Sequence, residues 1–145
     1  SNDGFDDFLR LSYGPRFKIL RQRLNHDCGA AAKDRGIVES TGDYVAFWDD
    51  DNIYYPNAVA TTFTTANGFD VGIVKTRHHG TVIPISNGLV PGDIDSMCFC
   101  VRRELAAKVK WADGGGRYSD YRFISKVAAI GTTINRSPII IGEHL

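Results

Sequence analysis

Three carboxylates stand side by side at Asp49-Asp50-Asp51, with Asn52 next. Adjacent like charges repel, so such a run is unfavourable unless a counter-charge meets it. In an extended segment alternate side chains share a side. Asp49 and Asp51 would then point together, leaving Asp50 for another role. Two carboxylates so placed offer oxygen ligands to a hard divalent cation. Mg²⁺ or Mn²⁺ held by one or two carboxylates plus substrate phosphates suits that set. An EF-hand is excluded, because the Asp/Asn ladder, central Gly and terminal Glu of that loop are absent. The competing reading is a solvated loop that caps the next helix.

The acids are unevenly chosen, with 14 Asp against 3 Glu in 145 residues. Asp is a poor helix former and a good turn, cap and ligand residue, so the bias places carboxylates at strand ends and loops. Asp120 follows Ser119 at the start of an apolar-periodic run and reads first as a helix cap. Asp95 reads as a strand-edge turn residue. His78-His79 falls at a hairpin tip and reads as exposed turn, since adjacent strand residues point to opposite faces. Cys28, Cys98 and Cys100 are odd in number and lack CxxC spacing. They read as free thiols of a reducing cytoplasm rather than a disulfide framework or zinc site.

These groups need a frame. Tyr44-Val45-Ala46-Phe47-Trp48 is a continuous apolar, β-rich run that ends at the triplet, the pattern of a buried parallel strand. Ligands in open α/β sheets bind at the carboxyl ends of strands, which is where the triplet would lie. Cys28 to Ser40 reads as a helix, and Pro56 opens another that runs to about Asn67. Val71 to Thr76 and Thr81 to Ile85 read as a hairpin turning at His79-Gly80. Ser96 to Val101 reads as a strand, Arg103 to Lys110 as a helix, and Trp111 to Tyr118 as a glycine-rich loop. A helix from Ser119 or Asp120 to about Ile130 and a strand in Thr132 to Ile141, interrupted by Pro138, complete the chain. The alternation predicts one α/β domain with a mainly parallel sheet and helices on both faces. Its 17 Lys+Arg balance 17 Asp+Glu, which argues against a nucleic-acid or membrane-surface partner. No apolar run is long enough for a membrane span, and no signal peptide is visible.

Gly42 through Asn52 resembles the strand and DxD region of family 2 glycosyltransferases of the GT-A fold. Asp50-Asp51-Asn52-Ile53-Tyr54-Tyr55-Pro56 is similar to the spore-coat polysaccharide glycosyltransferase branch. Ala32-Lys33-Asp34-Arg35-Gly36-Ile37 resembles the family's A-R-N-x-G-I helix segment, with Lys for Arg and Asp for Asn. Ser1-Asn2-Asp3-Gly4-Phe5-Asp6-Asp7 resembles its D-D-G-S-x-D loop. Asp93-Ile94-Asp95-Ser96-Met97 through Arg102-Arg103-Glu104 resembles the segment before its R-R-E helix, and Ser119-Asp120 falls at its E-D or G-D pair. The pieces run through nearly the whole chain in order.

The resemblance implies a GT-A-like α/β fold over 1–145, with 1–67 as nucleotide-sugar and metal part and 68–145 as acceptor part. It implies inverting, metal-dependent transfer of a sugar from a UDP- or dTDP-sugar donor to a glycan or other hydroxyl acceptor, in polysaccharide biosynthesis. Asp3 would accept a hydrogen bond from the base, and Lys33 would contact base or diphosphate. Asp50 or Asp49 would hold ribose or sugar hydroxyls. Asp51, with Asp49, would hold Mn²⁺ or Mg²⁺. Asp120 would be the general base, and Asp95 would sit near acceptor and transferred sugar. Trp111 would stack on a sugar ring or pack in the core. His144 would be a further metal ligand or a frayed terminal residue.

Lys33 and Asp34 depart from the family pattern and weaken the base-recognition argument. Family members also carry a strand, helix and strand ahead of the loop matched by Ser1. A chain without them is expected to leave an exposed sheet edge or a gap, being either a fragment or a short protein that closes the edge otherwise, for instance as a homodimer. Two other classes compete with an active transferase. One is a truncated, non-catalytic nucleotide- or glycan-binding relative. The other is a sugar nucleotidyltransferase, whose N-terminal glycine-rich loop is absent here.

Overall fold

The computed structural model describes residues 4, 7, 11, 14, 16–20, 29–111, 116–131 and 133–145. Helix α1, Ala30–Glu39, opens after Gly29 at φ 81° on three alanines, and closes at Ser40, whose hydroxyl donates to the Ile37 carbonyl. Strand β1 is Tyr44–Ala46, followed through the acidic triplet by the short β2, Ile53–Tyr54. Helix α2, Ala58–Ala66, begins just past Pro56. Strand β3, Val71–His78, turns through His79-Gly80 into β4, Thr81–Ile83. A 3₁₀ turn at Ser96–Cys98 leads into β5, Phe99–Arg102, where one uninterrupted strand was expected. Helices α3, Arg103–Val109, and α4, Ser119–Ile130, follow. The last strand, β6, is Ile134–His144.

The described strands form one sheet in the order β1-β5-β3-β6-β2, with β4 paired to β3. Only β3 and β6 run parallel; β1/β5, β3/β5, β3/β4 and β2/β6 are antiparallel. The sheet is therefore mixed, which corrects the mainly parallel expectation. A strand reads as continuously apolar when both its faces are covered, whatever the direction of its neighbours. The first four residues of β3 are all buried. Val71 and Ile73 join the larger core with Phe47, Phe99, Val101, Trp111, Phe123, Ile124 and Val127. Val74 joins Ala58 and Ile141 on the other face, against Trp48 and Tyr54. Between them, Gly72 lets α2 approach: a Cβ there would lie 2.6 Å from the Ala66 backbone.

Pro138 does not end β6. Ile73 pairs with Arg136 and Lys75 with Ile140, so the proline falls in a register shift, where its missing N–H costs no ladder bond. No helix among the described residues is long and apolar enough to cross a membrane.

The registers fix which strand ends meet. Strands β1, β3 and β6 point the same way and β5 points oppositely. One end of the sheet thus collects the residues after β1, the tip of β3, the end of β6 and the residues before β5. These are Asp49 to Asp51, His78-His79, His144, and Asp95-Ser96. At the other end Asp70 accepts from the Arg102 side chain at 3.0 Å and from the Thr133 N–H at 3.2 Å, fastening the starts of β3 and β6 to the end of β5.

Candidate active site

Asp120 stands at the centre of this end. It is the second residue of α4, but it does not cap the helix: the residue before the helix is Tyr118 in a left-handed conformation, with no side-chain cap. The Asp120 carboxylate instead accepts from the Ser96 N–H at 3.2 Å, joining α4 to the start of β5. Burial pushes its pKa up to about 6, and the charges of Asp95 and Asp49 add to that, against the Lys33 ammonium and the Ser96 N–H, which pull it down. These neighbours define the site. Asp49, Asp95, Asp120 and Lys33 come from four separate segments.

Asp95 is buried, at 7% exposure. One carboxylate oxygen accepts from the Met97 N–H at 3.0 Å and caps the 3₁₀ turn. The other lies 3.3 Å from His144 Nδ1. That approach is off-line for a hydrogen bond, so Nδ1 is buried without a hydrogen-bond partner. Lys33 projects from α1 with its ammonium 4.3 Å from the Trp111 ring centre. Its neighbour Asp34 accepts from the Trp111 backbone N–H. The two residues that depart from the family pattern therefore both hold Trp111.

Trp111 itself is a core residue, which corrects the sugar-stacking expectation. It is 4% exposed, and its ring stacks on Phe123 with centres 4.2 Å apart at 10°. With Phe123 and Lys33 against it, the ring has no open face for a sugar.

The acidic triplet is exposed, but it is not extended: Asp50 and Asp51 lie in a turn. The turn is required because β2 must reverse onto β6, Ile53 pairing with Glu143 and Tyr54 with Gly142. The alternation expected of Asp49 and Asp51 does not apply there. Tyr54 locks the loop. Its hydroxyl donates to the Asp49 carbonyl at 2.8 Å, and its ring stacks on Trp48 with centres 4.5 Å apart. Burial, with the negative charges of Asp49 and Asp95, raises the Tyr54 pKa, so the hydroxyl stays a donor. Trp48 Nε1 is buried without a hydrogen-bond partner, and the buried Asn52 amide lies beside the Tyr54 hydroxyl. Orphaned polar atoms beside exposed carboxylates are open positions for water or a ligand. Carboxylates and an amide oxygen are also the donors a hard cation takes, so these residues fit Mg²⁺ or Mn²⁺.

A cavity of about 490 Å³ runs between α1 and β1 to this loop, lined by Lys33, Gly36, Ser40, Phe47, Trp48 and Asp49 among others. Asp3 lies outside the described residues, as does Cys28. Cys98 and Cys100 are buried free thiols, pushed up to about 12 and about 11 by burial.

Two histidine expectations are corrected. His144 belongs to β6 and is half-buried, not frayed. His78 and His79 do not point apart, because His79 has φ 47°. That left-handed turn folds its ring back, 4.4 Å centre to centre from His78 and 5.4 Å from His144. Burial, with the neighbouring His144, holds the His78 pKa below its ordinary value. The only readable signal for this grouping was the pairing of the hairpin tip with the chain's last strand, which needs the topology first.

Residues 1–84 match the family model of Glycosyl transferase family 2. The chain belongs to that family. This family 2 chain is also similar in fold to a crystal structure of S. aureus TarS 1-349, at a TM-score of 0.75 and 13% identity. The match covers 99% of this chain and 48% of the TarS chain, so this chain spans about half its length. No curated protein sequence matches the chain.

Proposed function

We propose that the chain carries the catalytic site of an inverting, metal-dependent glycosyltransferase that moves a sugar from a UDP- or dTDP-sugar to an acceptor hydroxyl. The observation that supports this most is the meeting of Asp120, Asp95, Asp49 and Lys33 at the sheet end where the acidic triplet emerges. A sugar hydroxyl is a weak nucleophile and must lose its proton as it attacks, and a positioned carboxylate contributes about 10²–10⁴-fold by receiving it. Asp120 suits that role, because it is ionised at neutral pH yet more basic than an ordinary carboxylate. One displacement with one base inverts the anomeric carbon.

The donor reading rests on the cavity between α1 and β1, whose volume is in the range of small-molecule sites. Lys33 sets a positive charge on its wall for the diphosphate or base. Asp49 and Asp50 accept hydrogen bonds from ribose or sugar hydroxyls, and Asp3 takes the base by the family pattern. Asp51 and Asp49, with Asn52 beside them, would hold Mn²⁺ or Mg²⁺. When bound, such an ion stabilises charge on the departing diphosphate as a Lewis acid. Asp95 lies towards the acceptor side, and its buried carboxylate steadies the loop from which Ser96 holds Asp120. In this reading 1–67 serve the donor and 68–145 the acceptor.

The test is thermal. Mn²⁺ with UDP or dTDP at saturation raises Tm through linkage, and Asp51→Ala removes the rise. No shift with either nucleotide overturns the donor reading. A shift without sugar release from any donor or transfer to any acceptor supports instead a nucleotide-binding relative without turnover.

A further inference from the structure

The imidazoles of His78, His79 and His144 each offer one ring nitrogen, and these three atoms lie within 4.8 Å of one another. They come from two elements, the tip of the β3–β4 hairpin and the end of β6, joined by the parallel pair His78↔His144. Two features make the group more than an accident of the turn. His79 is held at φ 47°, which turns its ring toward the other two although the residue stays exposed. His144 turns Nδ1 toward the buried Asp95 carboxylate, 3.3 Å away, which leaves Nε2 for another partner. The contact is off-line for a hydrogen bond, and a small rotation of the ring would bring it in line; a carboxylate behind a ligating imidazole is the usual outer partner that fixes its orientation and raises its basicity.

We infer that His78, His79 and His144 form a transition-metal site of the Zn²⁺ type, distinct in its donors from the oxygen-donor site at the acidic triplet, which the β2–β6 register sets beside His144. Imidazole nitrogens suit Zn²⁺, Co²⁺, Ni²⁺ and Cu²⁺, whereas carboxylate and amide oxygens suit Mg²⁺ and Mn²⁺. Zinc–nitrogen bonds of about 2.0–2.1 Å place tetrahedral ligands roughly 3.4 Å apart, so the rings need close by at most about 1.4 Å. His79 is exposed and free to make that movement. Three protein ligands leave a fourth position. His78 and His79 also line a cavity of about 500 Å³ with Ile83, Ile85, Val90 and Pro91, so that position opens to a partly apolar pocket and takes water or an anionic oxygen. The site stands independently of the donor reading. It takes in His144, and through Asp95 it ties the metal to the carboxylate cluster.

The experiment titrates tag-free protein with Co²⁺ and follows the visible bands, which are intense for tetrahedral and weak for octahedral coordination. Intense bands saturating at one equivalent, and displaced by Zn²⁺, are expected. His78→Asn and His79→Asn each abolish them; Asn tolerates the left-handed turn at 79, and unchanged circular dichroism shows that the fold persists. Asp95→Asn weakens binding by about 10–100-fold. Asp51→Ala leaves the bands intact. Weak octahedral bands, or bands that survive both histidine variants, overturn the site. Bands lost in Asp51→Ala but kept in His79→Asn place the ion at the acidic triplet and overturn it equally.

Discussion

At the scale of single residues, Asp120 couples chemistry to stability with opposite signs. Its pKa of about 6, against an ordinary 3.8, means that the folded chain holds this proton more tightly than the unfolded chain does. The stabilising contribution is full below about pH 4 and is lost as pH rises through 6. Above pH 7 the ionised carboxylate is therefore a net cost to folding, on the order of 1–2 kcal/mol once its partial exposure is discounted. Asp120→Asn is expected to raise Tm at pH 8, with the gain vanishing towards pH 4, while transfer falls by about 10²–10⁴-fold. Loss of activity together with loss of Tm at pH 8 contradicts this account. The rate should rise through about pH 6 and then level. Lys33→Met, which removes the charge that lowers the Asp120 pKa, should move that midpoint upward. A midpoint that stays in place shows that Lys33 does not reach the base.

At the scale of elements, the sequence announced some placements and hid others for identifiable reasons. The triplet at the end of the Tyr44–Trp48 run was readable because a β-rich stretch stopped by three charges has few alternatives. Helix α4 was readable through Phe123, Ile124 and Val127, which it buries on one face. Strand direction was not readable, because an apolar run records burial and not the sense of its partners. The histidine grouping was hidden by one positive φ at His79, which overrides strand alternation. Trp111 was ambiguous because a large aromatic suits a sugar face and a core equally.

The β2–β6 contact is the element on which the acidic loop hangs, and glycine makes it possible. A Cβ on Gly142 would collide with the Ile53 carbonyl, and Met97 closes the other side. Gly142→Ala must therefore separate β2 from β6 and shift the loop that ends at Asp51. Gly72→Ala collides just as firmly, with Ala66, but on the α2 side of β3. Each is expected to lower stability by about 1–3 kcal/mol. They part in their effect on ligands: Gly142→Ala abolishes the Mn²⁺–UDP rise in Tm, whereas folded Gly72→Ala retains it. Equal retention in both shows that the loop is positioned independently of β6.

At the scale of the whole molecule, the sheet is strong at its centre and weak where the proposed chemistry lies. Strand β3 pairs with β4, β5 and β6, and Val71, Ile73 and Val74 are at most 1% exposed. Strand β2 has two residues and pairs only with β6 among the described strands. Local opening is cheapest where few buried contacts resist it, so β2 and the triplet loop should open without the rest of the sheet. Amide hydrogen exchange is the measurement that reads this. In the free protein, Val71 to Val74 should exchange only by global unfolding, and Ile53-Tyr54 several orders of magnitude faster. A ligand bound across the loop closes the local opening and barely touches the global one. Mn²⁺ with UDP should therefore slow exchange at Ile53 and Tyr54 far more than at β3. Uniform slowing across the sheet means that the ligand acts only through global stability, and the loop is then no moving part of the site.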